Sequence, residues 1–438
     1  MASTGILFIP EPMPRFHSMP LVPWIAVGVR AFVALTAVAI APSPSMCAAQ
    51  VETPETLAWS AASLVAAKRA WLAGDVSVAA DVRAIVAQAE RDLAEHKIES
   101  VVSSKTAKTP AGIDPHDYFS VPPYWWPNPD TPDGLPYVAR DGRRSPEFWA
   151  GNYKAMSTLA AVVPRLALAW WFTGDERFAA HASTALRVWF LDTETRMNPN
   201  FRHAQTIPGV AGGRAVGLID AVRFLDLIEG ALLLKGSPTW SEADDAGLRA
   251  WFSDFLEWCV KGEFSEQLST RTHNNIGTWY FAQIAGYAAY CGRLEELRPL
   301  LEQRLPALVS RQFDESGQQP DELSRTRPMH YSTYNLHAWV VVGSMASRIG
   351  LDVWSGDSET GRSLRSGLYY LAGYADPDVE WPHKDIDARP REQLASLLLA
   401  ARRIDGVDTD PVMCDALAKV EAAHPAPVWM RLAHAHAR

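Results

Sequence analysis

The chain is 438 residues long with 48% hydrophobic and 21% charged positions, an ordinary globular composition with enough apolar side chain to bury a sizeable core. Its formal net charge of −9 argues against nucleic acid as a partner, because a nucleic-acid binder offsets phosphate charge with a basic face. Any polyanionic ligand must instead be held by a local cluster of Arg, Lys and His, while the 17 Trp suit either a large helical core or a groove that stacks sugar rings.

In chain order, the first element is an export signal over residues 1–49. Arg15 and Arg30 precede the apolar run AFVALTAVAIA, and small residues follow in CAAQ, with a cut expected after Ala49. The run is about eleven residues, short of the roughly twenty that span a bilayer, so no stable membrane insertion is expected once the signal is removed. The mature chain, residues 50–438, is then periplasmic or secreted. It keeps Cys259, Cys291 and Cys414, an odd number without metal-ligand spacing, and no metal or cofactor is expected.

Helical periodicity dominates residues 50–438 and recurs as helix pairs joined by short turns. LALAWWFTGDERFAAHASTALRVWFL is one pair, turning at Thr173, Gly174 and Asp175. DAVRFLDLIEGALLL and SEADDAGLRAWFSDFLEWCV form a second, with Ser241 as N-cap and acidic residues in the first turn. GTWYFAQIAGYAAYCG and LEELRPLLEQRLPALVSRQF form a third, and a fourth begins at NLHAWVVVGSMASRIG. Stacked antiparallel pairs bury their apolar faces most simply as an all-α toroid, an incomplete α/α barrel in a single domain.

Four polar segments interrupt the helices. The first, Gly112 to Glu147, is stiffened by prolines and carries Tyr124, Trp125 and Trp126, whose flat faces suit a sugar chain; its length marks it as a lid or groove wall rather than a simple surface belt. The second, MNPNFRHAQTIPGVAGGRAVGLID, gathers Asn198, Asn200, Arg202, His203, Gln205 and Arg214 around glycines that allow close backbone approach. The third places His273, Asn274 and Asn275 at the start of a helix whose Ile276, Trp279, Tyr280, Ile284 and Tyr287 share one face. One asparagine suffices as a cap, which leaves the second and the histidine unexplained, and helix N-termini favour anions. The fourth, DELSRTRPMHYSTYNLHAW, crowds Arg325, Arg327, His330, Tyr331 and Tyr334 just before the next helix, where two guanidiniums are expected to lower a phenol's pKa from about 10. A solvated charged face is the plainer account of that segment taken alone.

Through HDYFSVPPYWWP, NPNFRHAQTIPG, NNIGTWY, RTRPMHYSTYNL and WPHK, the span from Gly112 to Lys384 resembles the alginate-lyase superfamily of polysaccharide lyases, closest to family 38 and more distantly to family 5. The resemblance implies the same α/α toroid and β-elimination of a 1,4-linked uronate polymer, without water or metal. It matches Tyr331 to the family's catalytic tyrosine, Arg325 to the arginine before it, and Asn275 to the asparagine that neutralises the C6 carboxylate. The family usually continues NNHG, whereas Ile276 stands at the histidine position here, and His273 or His203 is expected to compensate. In β-mannuronate and β-glucuronate the C5 proton and O4 lie on the same side, so one tyrosine serves as base and then acid. Asn274, Arg327, His330, Gln205, Arg202, Tyr124, Trp125 and Trp126 are then expected to bind the acidic polysaccharide. Two rivals are a glycoside hydrolase using two of Asp314, Glu315, Asp321 and Glu322, and a non-catalytic uronan-binding protein.

Overall fold

The computed structural model describes residues 51–271, 273–356, 362–387 and 391–434. The expected export signal lies outside the described residues. The helices follow one another as α1 (Ala61–Leu72), α2 (Val76–Glu95), α3 (Tyr153–Thr173), α4 (Glu176–Leu186), α5 (Phe224–Leu233), α6 (Glu242–Lys261), α7 (Ser265–Ser269), α8 (Asn275–Tyr290), α9 (Arg298–Gln312), α10 (Pro320–Leu323), α11 (Pro328–Arg348), α12 (Leu364–Ala372), α13 (Leu394–Ala401), α14 (Pro411–Ala423) and α15 (Val428–His434). They wind as an all-α toroid in which α3 packs on α2, α4 and α5, α8 on α6 and α11, and α13 on α11, α14 and α15. The strand pair β1 (Trp125–Trp126) and β2 (Val138–Ala139) is a short antiparallel hairpin within the first long loop.

Local chemistry sets the ends of these helices. Gly174 takes a left-handed φ of 72° after α3, and the Asp175 side chain accepts from the Arg177 N–H to start α4. Ser241 and Asp244 form a reciprocal capping box on α6. The expected helix pairs are present, but α4 passes into a π turn at Arg187–Leu191, α5 is preceded by a 3-10 stretch at Ala215–Arg223, and α11 begins at Pro328 rather than at Asn335, so His330, Tyr331 and Tyr334 lie in its first two turns and not in the loop before it. Proline suits the first helical turn, where its missing N–H has no partner to lose.

The inner helices are buried on nearly every side. In α8 only Ile276 and Ala289 are partly buried and the rest of Asn275–Tyr290 is buried, so the helix is central rather than one-faced as the spacing suggested. α3 is the one described helix long and apolar enough to cross a membrane, yet 72% of its apolar window is inside the protein. Its Pro164 meets Gly230 of α5, where an added Cβ would come within 2.9 Å of the Pro164 backbone, so glycine sets how closely the two helices approach. Trp59, Trp71, Trp171, Trp189, Trp240, Trp251, Trp279 and Trp339 are core residues, which accounts for much of the aromatic load. Gln312 Oε1 accepts from Thr278, Asn335 and Trp339 at 2.9–3.0 Å, fixing α8, α9 and α11 together where their ends carry the candidate site.

Candidate active site

The start of α8 explains the paired asparagines. Asn274 is the N-cap, its side chain accepting from the Ile276 N–H at 3.3 Å. Asn275 turns inward: its backbone N–H donates to Glu322 Oε1 at 2.6 Å, and its Nδ2 reaches both carboxyl oxygens at 2.9 Å. Its amide is thus engaged by a buried side chain rather than presented to a ligand, which corrects the expectation for this residue. Gly277 is required because a Cβ there would lie 2.0 Å from the Arg271 carbonyl oxygen. Burial raises the Glu322 pKa to about 7 against the opposing Asn275 hydrogen bonds and Arg325 charge, so this carboxyl holds a proton part of the time at neutral pH. His273 is exposed.

Glu322 belongs to α10, and Arg325 follows one turn later. The Arg325 guanidinium lies 3.8 Å from the centroid of the Tyr331 ring and is held there by Asp141 Oδ1 at 2.6 Å. Arg327 is ion-paired with Asp387. The Tyr331 hydroxyl donates to the Tyr124 hydroxyl at 2.9 Å, and its ring meets His330 edge-on with centroids 5.0 Å apart. His330 stacks on Tyr334 and bonds through Nδ1 to Gln393 Oε1 at 2.8 Å; burial, with Arg327 nearby, lowers its pKa to about 4, so it is neutral.

The expected lowering of the Tyr331 pKa does not occur. The ring is buried, and desolvation, followed by the neighbouring Tyr124, raises the pKa by more than Arg325 lowers it. Both guanidiniums are also paired with carboxylates, which weakens their pull on the phenol. The resting phenol is therefore protonated.

Tyr124 and Asp141 both come from the first long loop, which contacts Arg325 and Tyr331 through them. The faces of Trp125 and Trp126 are not bare: Arg214 sits 6.0 Å from the Trp125 ring and Arg140 5.0 Å from that of Trp126, whose indole N–H donates to the Arg143 carbonyl. In the second loop a Cβ at Gly213 would fall 1.9 Å from the Arg202 carbonyl oxygen, the close approach that its glycines suggested. That approach folds Gln205 inward, where its Nε2 donates to Asp220 at 2.9 Å and its Oε1 accepts from Arg214 at 2.7 Å. Both ends of its amide are used, so Gln205 is an interior support rather than a free donor. His203 sits 3.5 Å from Asp117, and exposed Arg202 lies 3.8 Å from Glu263. The structure thus unites Tyr124, Arg325, Arg327, His330 and Tyr331, with Asn275 attached through Glu322. Among the described residues no hydrogen bond or ring contact joins His203 or His273 to Tyr331. Glu322, Asp141 and Asp387 were not singled out from sequence as partners of these groups; the one local signal was the three-residue spacing of Glu322 and Arg325.

Comparison with known proteins sets this all-helical toroid in a class, the polysaccharide lyases. Residues 101–381 match the family described as Alginate lyase, and the chain belongs to that family. Among solved structures, an alginate lyase from Bacteroides ovatus is 30% identical with a TM-score of 0.79, over 87% of this chain and 99% of that one. Alginate lyase A1-III from Sphingomonas species A1 is 14% identical with a TM-score of 0.42, over 73% of this chain and 87% of that one. Comparison with curated protein sequences gives no match.

Proposed function

We propose that this protein cleaves a β-1,4-linked uronate polymer, mannuronan/alginate or glucuronan, by β-elimination, with Tyr331 as base and then acid. The observation that carries the reading is the Tyr331 phenol, with the Arg325 guanidinium 3.8 Å from its ring and the Tyr124 hydroxyl 2.9 Å from its own. Membership of the alginate lyase family and the likeness to the Bacteroides ovatus alginate lyase support the substrate class.

In the proposed reaction the phenolate removes the C5 proton, the electron pair forms the C4–C5 double bond, the C4–O4 bond breaks, and the same phenol returns its proton to O4. The resting phenol is the acid form, so the base form requires relief of the groups that hold its proton. Withdrawal of Tyr124 removes its hydrogen bond and admits solvent, which lifts the two main causes that hold the phenol's pKa up. Arg325 and Arg327 supply positive charge for the C6 carboxylate as its enediolate develops. His273 and His203 would take part only by moving toward Tyr331. A polymer of this size meets the protein outside the cytoplasm, in keeping with the export signal read at the N-terminus.

Ultraviolet absorbance of the unsaturated product tests the reading, with polymannuronate, polyguluronate and glucuronan supplied separately. Absorbance is expected to rise with at least one of the first and third, and Tyr331→Phe is expected to lose about 10²- to 10⁴-fold in rate with its circular dichroism unchanged. Full turnover by Tyr331→Phe would refute the assignment.

A further inference from the structure

Further along α11 from Tyr331, Thr333, Tyr334, His337, Val340 and Val341 border a chamber of about 480 Å³, within the size range of small-molecule sites. Its walls come from α5, α8, α11 and α13, and its far end from the segment before α1 and from α15. Tyr331 is not among its lining residues, so it is separate from the catalytic groups described above.

The lining is chemically selective. Arg223 lines the chamber and remains accessible although protein surrounds it; among the described residues its one hydrogen bond is to the Tyr153 hydroxyl at 3.3 Å. Arg403 also lines the space, its pKa lowered by burial to about 10 and so still charged at neutrality. Against these two guanidiniums stands Asp226, whose pKa is raised to about 7, first by burial and then by the nearby Glu229 charge. Glu229 itself is turned away, accepting the backbone N–H groups of Leu57, Ala58 and Trp59. His337 is held neutral by burial, its pKa near 4, and Tyr153, Tyr334 and His434 also line the space. The chamber is therefore net cationic at neutral pH.

Thr333 and Trp279 both line the chamber, and Thr333 Oγ1 and Trp279 Nε1 are buried and make no hydrogen bond among the described residues, although a buried hydroxyl and a buried indole N–H ordinarily find one. At the far end Trp59 and Trp429 form a tilted pair with centroids 5.7 Å apart, giving the space flat apolar faces. Cations and aromatic faces in one enclosure match a sugar that carries a carboxylate.

We propose that this chamber is a second ligand site that takes a single uronate, its carboxylate on Arg223, a hydroxyl on Asp226 and its ring against the aromatic faces. The choice of a uronate among small carboxylates rests on the proposed lyase reading, while the chemistry of the chamber stands without it. Gln393 links the chamber to the catalytic end, because it lines the space and bonds His330.

The test uses the full chain with sodium D-glucuronate and D-glucose as probes, read by isothermal titration and by fluorescence of the lining tryptophans. Saturable glucuronate binding is expected, at least about 10-fold tighter than glucose, and Arg223→Gln should weaken it about 10-fold or more. Ser396→Phe, which fills the chamber from α13, should abolish binding while polymer cleavage stays within about twofold of the parent. Absence of saturable binding in the parent overturns the proposal. So does unchanged binding in both variants, since the sugar would then occupy the catalytic groove. Loss of the lyase reading alone shows differently: polymer is not cleaved, yet glucuronate binding remains sensitive to Arg223→Gln.

Discussion

Replacing Glu322 by glutamine isolates the electrostatic cost of the carboxyl that holds the α8 start. Glu322 is 1% exposed, and its pKa rises from 4.5 to about 7 in the folded chain. A raised carboxyl pKa means that the folded state binds the proton more tightly than the unfolded state. The stability it contributes is present below about pH 4.5 and is lost as pH rises through about 7. At about 1.4 kcal/mol per pKa unit the loss is about 3 kcal/mol. Glutamine keeps an acceptor for the Asn275 N–H and cannot ionise, and a flip of the Asn275 amide lets it accept from the new amide in turn. Urea unfolding of both proteins at pH 5, 6, 7 and 8 should show Glu322→Gln gaining on the parent by about 3 kcal/mol between the lowest and highest pH. Other buried groups, Asp226 and Asp220 among them, titrate equally in both proteins and cancel in the difference. A difference that stays constant within about 1 kcal/mol across the range would show that Glu322 does not carry this proton, and the account of the α8 start would fail.

Three further outcomes are expected. Arg325→Met, which removes the charge beside the Tyr331 ring, should reduce kcat/KM by about 10²-fold or more on whichever polymer is cleaved, with Asp141 left unpaired and thermal stability changed far less. Gly277→Ala should destabilise the fold by about 1–3 kcal/mol in denaturant titration, because its Cβ must displace the Arg271 backbone. Expression of the full chain with its leader in a Gram-negative host should yield, in the periplasm or medium, a mature protein whose N-terminal sequencing begins at Gln50; an uncleaved cytoplasmic chain would refute the export reading.

The helix pairs were legible because their signals are local. Gly174 with Asp175, and Ser241 with Asp244, lie within a few residues of one another and act through the backbone they terminate. The start of α11 was missed because Pro328, in a run of arginines and aromatics, reads equally as a loop or as a first helical turn. The site shows the same division. Tyr331, Arg325 and Asn275 stand out as residue types in a pattern, but what surrounds them comes from far along the chain. Asn275 meets Glu322 across 47 residues, Arg325 meets Asp141 across 184, and Tyr331 meets Tyr124 across 207. The attraction of a guanidinium for a phenolate follows from adjacency in sequence, whereas the burial that outweighs it is a property of the assembled toroid. Gln205 fails as a surface donor for a related reason, since polarity in a glycine-rich loop does not reveal the buried Asp220 that claims its amide.

The resting ion pairs bear on how the proposed reaction could begin. Arg325 is already matched by Asp141, and Arg327 by Asp387. A uronate carboxylate entering at Arg325 therefore exchanges one anion for another rather than meeting a bare cation, so its desolvation is offset only if Asp141 leaves. Burial works against ionised Asp141, but its hydrogen bond to Arg325 holds its pKa below the ordinary value, so it departs as a carboxylate, to water. Asp141 and Tyr124 belong to the same loop, one pairing Arg325 and the other capping the Tyr331 hydroxyl. On the proposed mechanism, a single outward movement of that loop frees the cation for the substrate and removes the hydrogen bond that keeps the phenol protonated. Substrate entry and activation of the base are then one event, and the raised pKa of the closed state is the condition of an idle site rather than an obstacle to turnover.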